Sequence, residues 1–377
     1  VPGRRTTRKN YEILPEKTRL FFMKPTSPLF VTDIKRINLG EPIMLKVRTS
    51  RVLCAALMIT LVLSMTAKAD YDETISKTFT VNPGGTLTVN TDLGSIDVTG
   101  NGGDEVSIDI KREAGAASDR EAKRIFEEME ITFEQRGDDV AVTLEYRDRN
   151  SLFDWMRKWR VRVHFVIQVP HEYNVNLKTS GGGISVDELA GRVDAKTSGG
   201  GLKFGKIDGP VLGRTSGGGI VLQECTGTAD VRTSGGGIDI GQVNGDVEAH
   251  TSGGSLKIVQ AVGTVDASTS GGSITVEEVM GTIRASTSGG SVSAKISKQP
   301  KSDCSLTTSG GSINVYLTED IKATVDAKTS GGRVTTDFPV TVVGELKKTE
   351  LQADINGGGP QIYLRTSGGS IHIKSFE

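Results

Sequence analysis

Residues 193–220 read VDAKTSGGGLKFGKIDGPVLGRTSGGGI, two copies of one unit set 18 residues apart. Thr-Ser-Gly-Gly begins at Thr197 and again at Thr215. Outward from there the same motif opens at Thr179, Thr233, Thr251, Thr269 and Thr287, always at a spacing of 18. Two steps of 21 residues follow, to Thr308 and Thr329, and the motif returns at Thr366. Thr91-Asp92-Leu93-Gly94 and Asn356-Gly357-Gly358-Gly359 read as degenerate copies. A fixed period of this length is the mark of a repeat architecture.

Each unit repeats an apolar pattern of period two. Val193, Ala195, Leu202 and Phe204 recur as Val211, Gly213, Ile220 and Leu222, then as Ala229, Val231, Ile238 and Ile240. Alternation of this kind predicts two half-buried strands per unit, separated by Ser-Gly-Gly. A second glycine, at Gly191, Gly209, Gly227, Gly245, Gly263 and Gly281, marks the other corner. Such a unit cannot bury its own apolar face, so copies must stack at strand spacing, about 4.8 Å. The predicted fold is all-β: a single-chain parallel β-solenoid (β-helix) over 179–377, built of 18-residue rungs.

An open ladder end needs a cap. Residues 70–178 are expected to supply one, with strands at Thr78–Val81, Thr86–Val89, Val106–Lys111, Val140–Tyr146 and Val161–Val169. One helix is expected over Ser118–Phe133, with Ser118 as N-cap and Glu121 at the capping-box position. At the other end Phe376 and Glu377 follow the last predicted strand directly, so the C-terminal edge is expected to be thinly capped.

Residues 44–69 read as a signal peptide: Lys46, Arg48 and Arg51, an apolar run Val52–Met65, then Ala67-Lys68-Ala69. Cleavage is expected between Ala69 and Asp70. A helix of that run spans roughly 21 Å, short of the roughly 30 Å hydrocarbon core. No membrane span is therefore expected in the mature form. Residues 1–43 read as an upstream extension, unstructured or preceding the true start at Met44. Removing 1–69 leaves 32 basic and 42 acidic residues. That balance argues against nucleic acid as a partner. The expected location is periplasmic, cell-surface or extracellular. Cys225 and Cys304 fall at inward positions several rungs apart and are expected as buried free thiols.

The chain resembles a bacterial "putative adhesin" family of exported β-strand-repeat domains. The resemblance rests on His164-Phe165-Val166-Ile167-Gln168-Val169-Pro170, on the Thr-Ser-Gly-Gly ladder, and on Ala353–Gly359 followed by Leu364–Ile371. It covers about residues 75–377. It implies a β-solenoid on an exported protein and carries over no catalytic residue.

Two surface features are candidate contacts. The position before each motif Thr is basic in a row: Lys178, Lys196, Arg214, Arg232 and His250, then Lys328 and Arg365. Stacked, these form a stripe suited to an anionic glycan. Asp194, Asp230, Glu248, Asp266 and Asp326 stand two residues away on the same face, so a self-neutralising surface is the competing reading. The second feature is Phe153–Arg162, which holds Trp155, Arg157 and Trp159 and reads either as a partner anchor or as a plug for the solenoid core. The motif Thr column is in phase with the buried residues and is expected to hydrogen-bond within a corner.

No catalytic or metal site is expected. His164, His171, His250 and His372 lack ligand spacing, no Gly-x-Ser-x-Gly elbow is present, and the glycine runs lack a following helix and Lys-Ser/Thr. No cofactor is expected. The reading is a non-catalytic, adhesin-like or envelope-associated module that binds a glycan or an envelope protein. Its rivals are a self-associating structural protein and, more remotely, a polysaccharide-active β-helical enzyme.

Overall fold

The computed structural model describes residues 69–147, 152–342 and 347–376. The upstream extension and the signal segment up to Lys68 lie outside them. The described chain forms two 15-stranded sheets that share one apolar interior, a parallel β-solenoid in a rack of stacked rungs. The 18-residue period sets the register directly. Val193, Ala195 and Lys196 pair with Val211, Gly213 and Arg214 in one sheet; Leu202, Phe204 and Ile207 pair with Ile220, Leu222 and Cys225 in the other. Inward residues therefore stack on inward residues of the neighbouring rungs. Each fully buried Val, Ile or Leu contributes about 1.5–3 kcal/mol. One departure inside the rungs is compensated locally. The fully buried Phe204 ring lies where a Cβ on Gly213 would come within 3.1 Å, so a glycine stands in a column filled elsewhere by Ala, Val or Leu.

The motif threonines are buried, and they tie rungs together as well as corners. Thr215 Oγ1 donates to Gly200 O at 2.6 Å, Thr233 to Gly218 O at 2.7 Å and Thr251 to Gly236 O at 2.7 Å. Each bond reaches back to the preceding rung. A weaker bond within the corner, such as Gly200 N to Thr197 Oγ1 at 3.4 Å, is the one expected from sequence. Where later rungs replace the third corner glycine by serine, a second ladder appears: Ser273 N donates to Ser255 Oγ at 3.2 Å and Ser291 N to Ser273 Oγ at 3.1 Å.

The N-terminal region runs β1 (Ala69–Thr80), β2 (Thr86–Thr91), β3 (Ser95–Asn101), β4 (Glu105–Ala116), α1 (Asp119–Glu127), β5 (Met129–Arg136), β6 (Asp139–Tyr146), α2 (Leu152–Trp159), β7 (Arg162–Pro170), β8 (Asn174–Thr179) and β9 (Ile184–Asp187). β2 and β3 already form a rung turning at Thr91, and they pair in parallel register with β8 and β9. β4 and β7, then β1, extend one sheet with antiparallel pairs; β6 and β5 extend the other. The expected helix begins as read, with Ser118 Oγ accepting from Glu121 N at 3.3 Å. It ends at Glu127, and Met129–Arg136 is a strand. Met129, Ile131 and Phe133 alternate at period two, and Gly137 at φ 63° turns the chain so that they face β6. A second helix, α2, stands beside it.

The C-terminal rungs do not stack in chain order. Gln361–Thr366 inserts between Cys304–Thr308 and Ala323–Thr329, and Ile371–Phe376 inserts between Ile313–Thr318 and Val334–Thr336. The last strand is thus interior. This corrects the expectation of a thinly capped edge at Phe376: the edge belongs to Glu350–Ile355 and Val340–Val342, an antiparallel pair laid over Ala323–Thr329, and to the three-residue strand Val334–Thr336. Asn356–Gly359 is no rung corner either. Asn356, Gly357 and Gly358 have φ of 50°, 89° and 82° and form the turn that sends the chain back into the gap, with Asn356 Nδ2 donating to Glu319 O and Ile321 O.

Candidate functional site

The outward basic column is real in space. Lys178, Lys196, Arg214, Arg232 and His250 occupy one register position on successive strands of the second sheet. Beyond the uncharged Ser268, Ser286 and Thr307 the order is Arg365 and then Lys328, because of the inserted rung.

Most of this charge is already satisfied. Arg214 has Leu212 where its neighbours carry an acid, so it reaches to the next rung and grips Asp230 with both Nη atoms, each at 2.6 Å. Asp230 also accepts from Arg232 Nε at 3.1 Å, and Arg232 bonds on to Glu248. Glu248 lies 3.0 Å from His250 Nε2, and His250 Nδ1 lies 2.5 Å from Ser268 Oγ. The central column is therefore one chain of alternating charge. Arg365 is held likewise, 2.6 Å from Asp326 and over the Tyr363 ring at 4.0 Å. The N-terminal end of the column differs. Lys196 Nζ stands 3.1 Å from Asp194 and is exposed; Lys178 is exposed, its same-face neighbour is Asn176, and it has no ion-pair partner among the described residues.

The bidentate Arg214 contact, aided by Arg232, holds the Asp230 carboxyl below its ordinary value, while partial burial opposes the shift. A lowered folded-state value means this stabilisation is complete above about pH 3.8, the ordinary value, and fades as pH falls through the lowered one. Asp230→Asn is expected to cost about 1 kcal/mol at pH 7, and the difference from wild type should vanish in acid. Urea midpoints between pH 7 and pH 2 measure both. A difference independent of pH contradicts the assignment.

The tryptophan segment forms α2. Trp155 stacks on Tyr146 with ring centroids 4.5 Å apart, and Trp155, Met156 and Trp159 pack half-buried against the core. Lys158 Nζ lies 4.7 Å from the Trp159 ring, and Arg157 is exposed. A cleft of about 390 Å³ separates this face from Glu121, Arg124 and Ile125 of α1. The structure so gathers the sequence candidates into two groups, the basic row with Lys178, Lys196, Arg214 and Arg232 on the ladder, and Trp155, Arg157 and Trp159 on one helix. Ala69 and Asp70, the expected cleavage pair, open β1. Cys225 and Cys304 are buried and free, and burial pushes both thiols up.

Two features escaped the sequence reading. Lys295 sits 4.0 Å over the Phe376 ring and Lys374 lies 5.5 Å from Tyr316, a lysine–aromatic cluster on the first sheet. The insertion of Ile371–Phe376 beside Ile313–Thr318 creates it, and no local signal announces that. A cleft of about 580 Å³ opens at the N-terminal end among Tyr71, Ile75, Arg112, Phe126, Met129 and Ile131. Among the described residues no group of His, Cys, Asp and Glu is placed to hold a metal ion, and no helix is long and apolar enough to cross a membrane.

A family model described as Toastrack DUF4097 matches residues 86–374. No curated protein matches. Among solved structures, the chain is similar to a "putative cell adhesion protein" from Clostridium sporogenes ATCC 15579, at 12% identity over 81% of this chain and 100% of that one, with a TM-score of 0.18. It is similar to a "putative lipid binding protein" from Parabacteroides distasonis ATCC 8503, at 10% identity over 81% and 97%, with a TM-score of 0.33. A "putative adhesin" from Bacteroides fragilis NCTC 9343 shares 13% identity over 81% and 97%, with a TM-score of 0.23.

Proposed function

Because the chain belongs to the Toastrack DUF4097 family and carries its polar side chains in outward columns, we propose that it is an exported, non-catalytic, adhesin-like module that acts by surface contact. Export rests on residues 44–69 serving as a signal peptide cleaved before Asp70. The observation that carries the contact reading is the N-terminal end of the basic column, where exposed Lys178 has no ion-pair partner among the described residues and stands beside the exposed Lys196, itself paired with Asp194, whereas Arg214 and Arg232 are tied together through Asp230 and Glu248. A ladder repeats one chemistry at every rung, and this suits a partner that is itself repetitive or extended, such as an anionic glycan or an acidic face of an envelope protein.

The test is capture. Wild type, a Lys178→Glu/Lys196→Glu variant and an Arg214→Gln variant are immobilised and offered a glycan array and an envelope extract. Wild type and Arg214→Gln are expected to retain the same partner, and the double variant to lose it by tenfold or more. Retention by all three removes the column as the site and passes the role to Trp155, Arg157 and Trp159.

A further inference from the structure

We propose that β1 is a dimerisation edge, through which two copies of this chain pair antiparallel about a two-fold axis at Ile75. β1 ends the first sheet: it is bonded to β4 on one side, and no strand among the described residues lies on the other. The part of it that remains after cleavage before Asp70, residues 70–80, contains no proline, and a long open edge is a template for another strand. Tyr71, Ile75 and Phe79 pack only half-buried against the core, and the residues between them are exposed.

The side-chain pattern of β1 is palindromic. On one face stand Tyr71, Glu73, Ile75, Lys77 and Phe79. Antiparallel pairing about Ile75 sets Tyr71 opposite Phe79 of the second copy, Glu73 opposite Lys77, and Ile75 opposite Ile75. The other face then matches Asp72 with Thr78 and Thr74 with Ser76. Moving the axis by one residue sets Glu73 opposite Ile75, or Ile75 opposite Lys77. Placing it between two residues throws the apolar set of each copy onto opposite faces. One register therefore satisfies every pair, and it is self-complementary, as a two-fold interface requires.

The charges are available for it. Lys77 is exposed and has no ion-pair partner among the described residues. Glu73 uses Oε2 to hold the largely buried Arg112, which leaves Oε1 for an incoming ammonium. Inward charges on an edge strand usually block pairing. Here their positions, two residues either side of Ile75, block every register but one. The dimer goes beyond the contact reading above and stands without it; two joined ladders also present each surface twice, which raises avidity.

Light scattering on the purified protein over a range of concentrations tests this, with circular dichroism as the fold control. Wild type is expected at twice the chain mass. Lys77→Glu, which sets Glu opposite Glu73 at both ends of the interface, should weaken the dimer at least tenfold. Ile75→Cys should cross-link copies on mild oxidation, since symmetry-related Cα atoms then lie within disulfide reach, whereas Thr78→Cys should not. A monomeric wild type, an unchanged mass for Lys77→Glu, or equal cross-linking at both cysteines overturns the proposal. So does a monomer that takes up an apolar dye, which assigns the cleft beside Tyr71 and Ile75 to a small molecule instead.

Discussion

Gly236→Ala is expected to disrupt the ladder around its rung, at a cost of about 3–5 kcal/mol, while Gly237→Ser one residue later is expected to change stability by no more than about 0.5 kcal/mol. A Cβ at Gly236 would stand 2.3 Å from Gly218 O and 2.4 Å from Gly219 N, both backbone atoms of the preceding rung. Neither can yield without lengthening the strand spacing, which the neighbouring ladders fix near 4.8 Å. A Cβ at Gly237 would meet Ser255 O at 3.1 Å and Ser255 N at 3.8 Å, the second an ordinary van der Waals contact. Ser255, Ser273, Ser291, Ser312 and Ser370 already stand at that place in later rungs, with Arg333 the exception, and hydroxyls of this column accept from the next rung's N–H. Serine at 237 would offer Ser255 N the same acceptor. Repeat arrays need not unfold in one step, so amide exchange rung by rung is the measurement, supported by urea midpoints. Equal effects of the two substitutions contradict the corner geometry.

A chain ended at Ile355 is expected to lose far more than the residues removed. It lacks Gln361–Thr366 and Ile371–Phe376, whose Ile362, Leu364, Ile371 and Ile373 are fully buried. Those strands lie between the ladder and its end, so their loss strips Ala323–Thr329 and Val334–Thr336 of the neighbours that join them to the rack. Amide protection should disappear from Ala323 to Ile355, although every one of those residues is still present. Cys304–Thr308 and Ile313–Thr318 become new edges, with a tendency to aggregate. A ladder stacked in chain order would lose protection only at the truncated end. Protection that persists over Ala323–Thr329 rules out the inserted rung.

The period of 18, the inward columns and the buried threonine column were legible because each is a local pattern repeated many times. The insertion was not legible, for the same reason. The corners at Thr308, Thr329 and Thr366 carry the same motif, so the motif says that each is a rung and nothing about which lies next to which. Their order is decided by the antiparallel strand Glu350–Ile355, which covers one side of Ala323–Thr329 and leaves only the other side for Gln361–Thr366. The helix was read too long because Ile125 and Met129 share a helical spacing of four, while Met129 also begins an alternating strand. The basic stripe was visible in sequence, and so were its acids. Which cation each acid holds was not, since Arg214 finds Leu212 on its own rung and pairs across the ladder with Asp230.

Equilibrium binding of a defined polyanion, dextran sulfate, at two salt concentrations tests the contact reading most directly. Three proteins are compared: wild type, Lys178→Glu/Lys196→Glu, and Lys257→Glu, whose cation lies on the other sheet and pairs with Glu277. Wild type and Lys257→Glu are expected to bind alike, with affinity falling as salt rises, and the double variant to bind at least tenfold more weakly with a shallower salt dependence. Binding that is absent in wild type, or that falls equally in both variants, contradicts that reading.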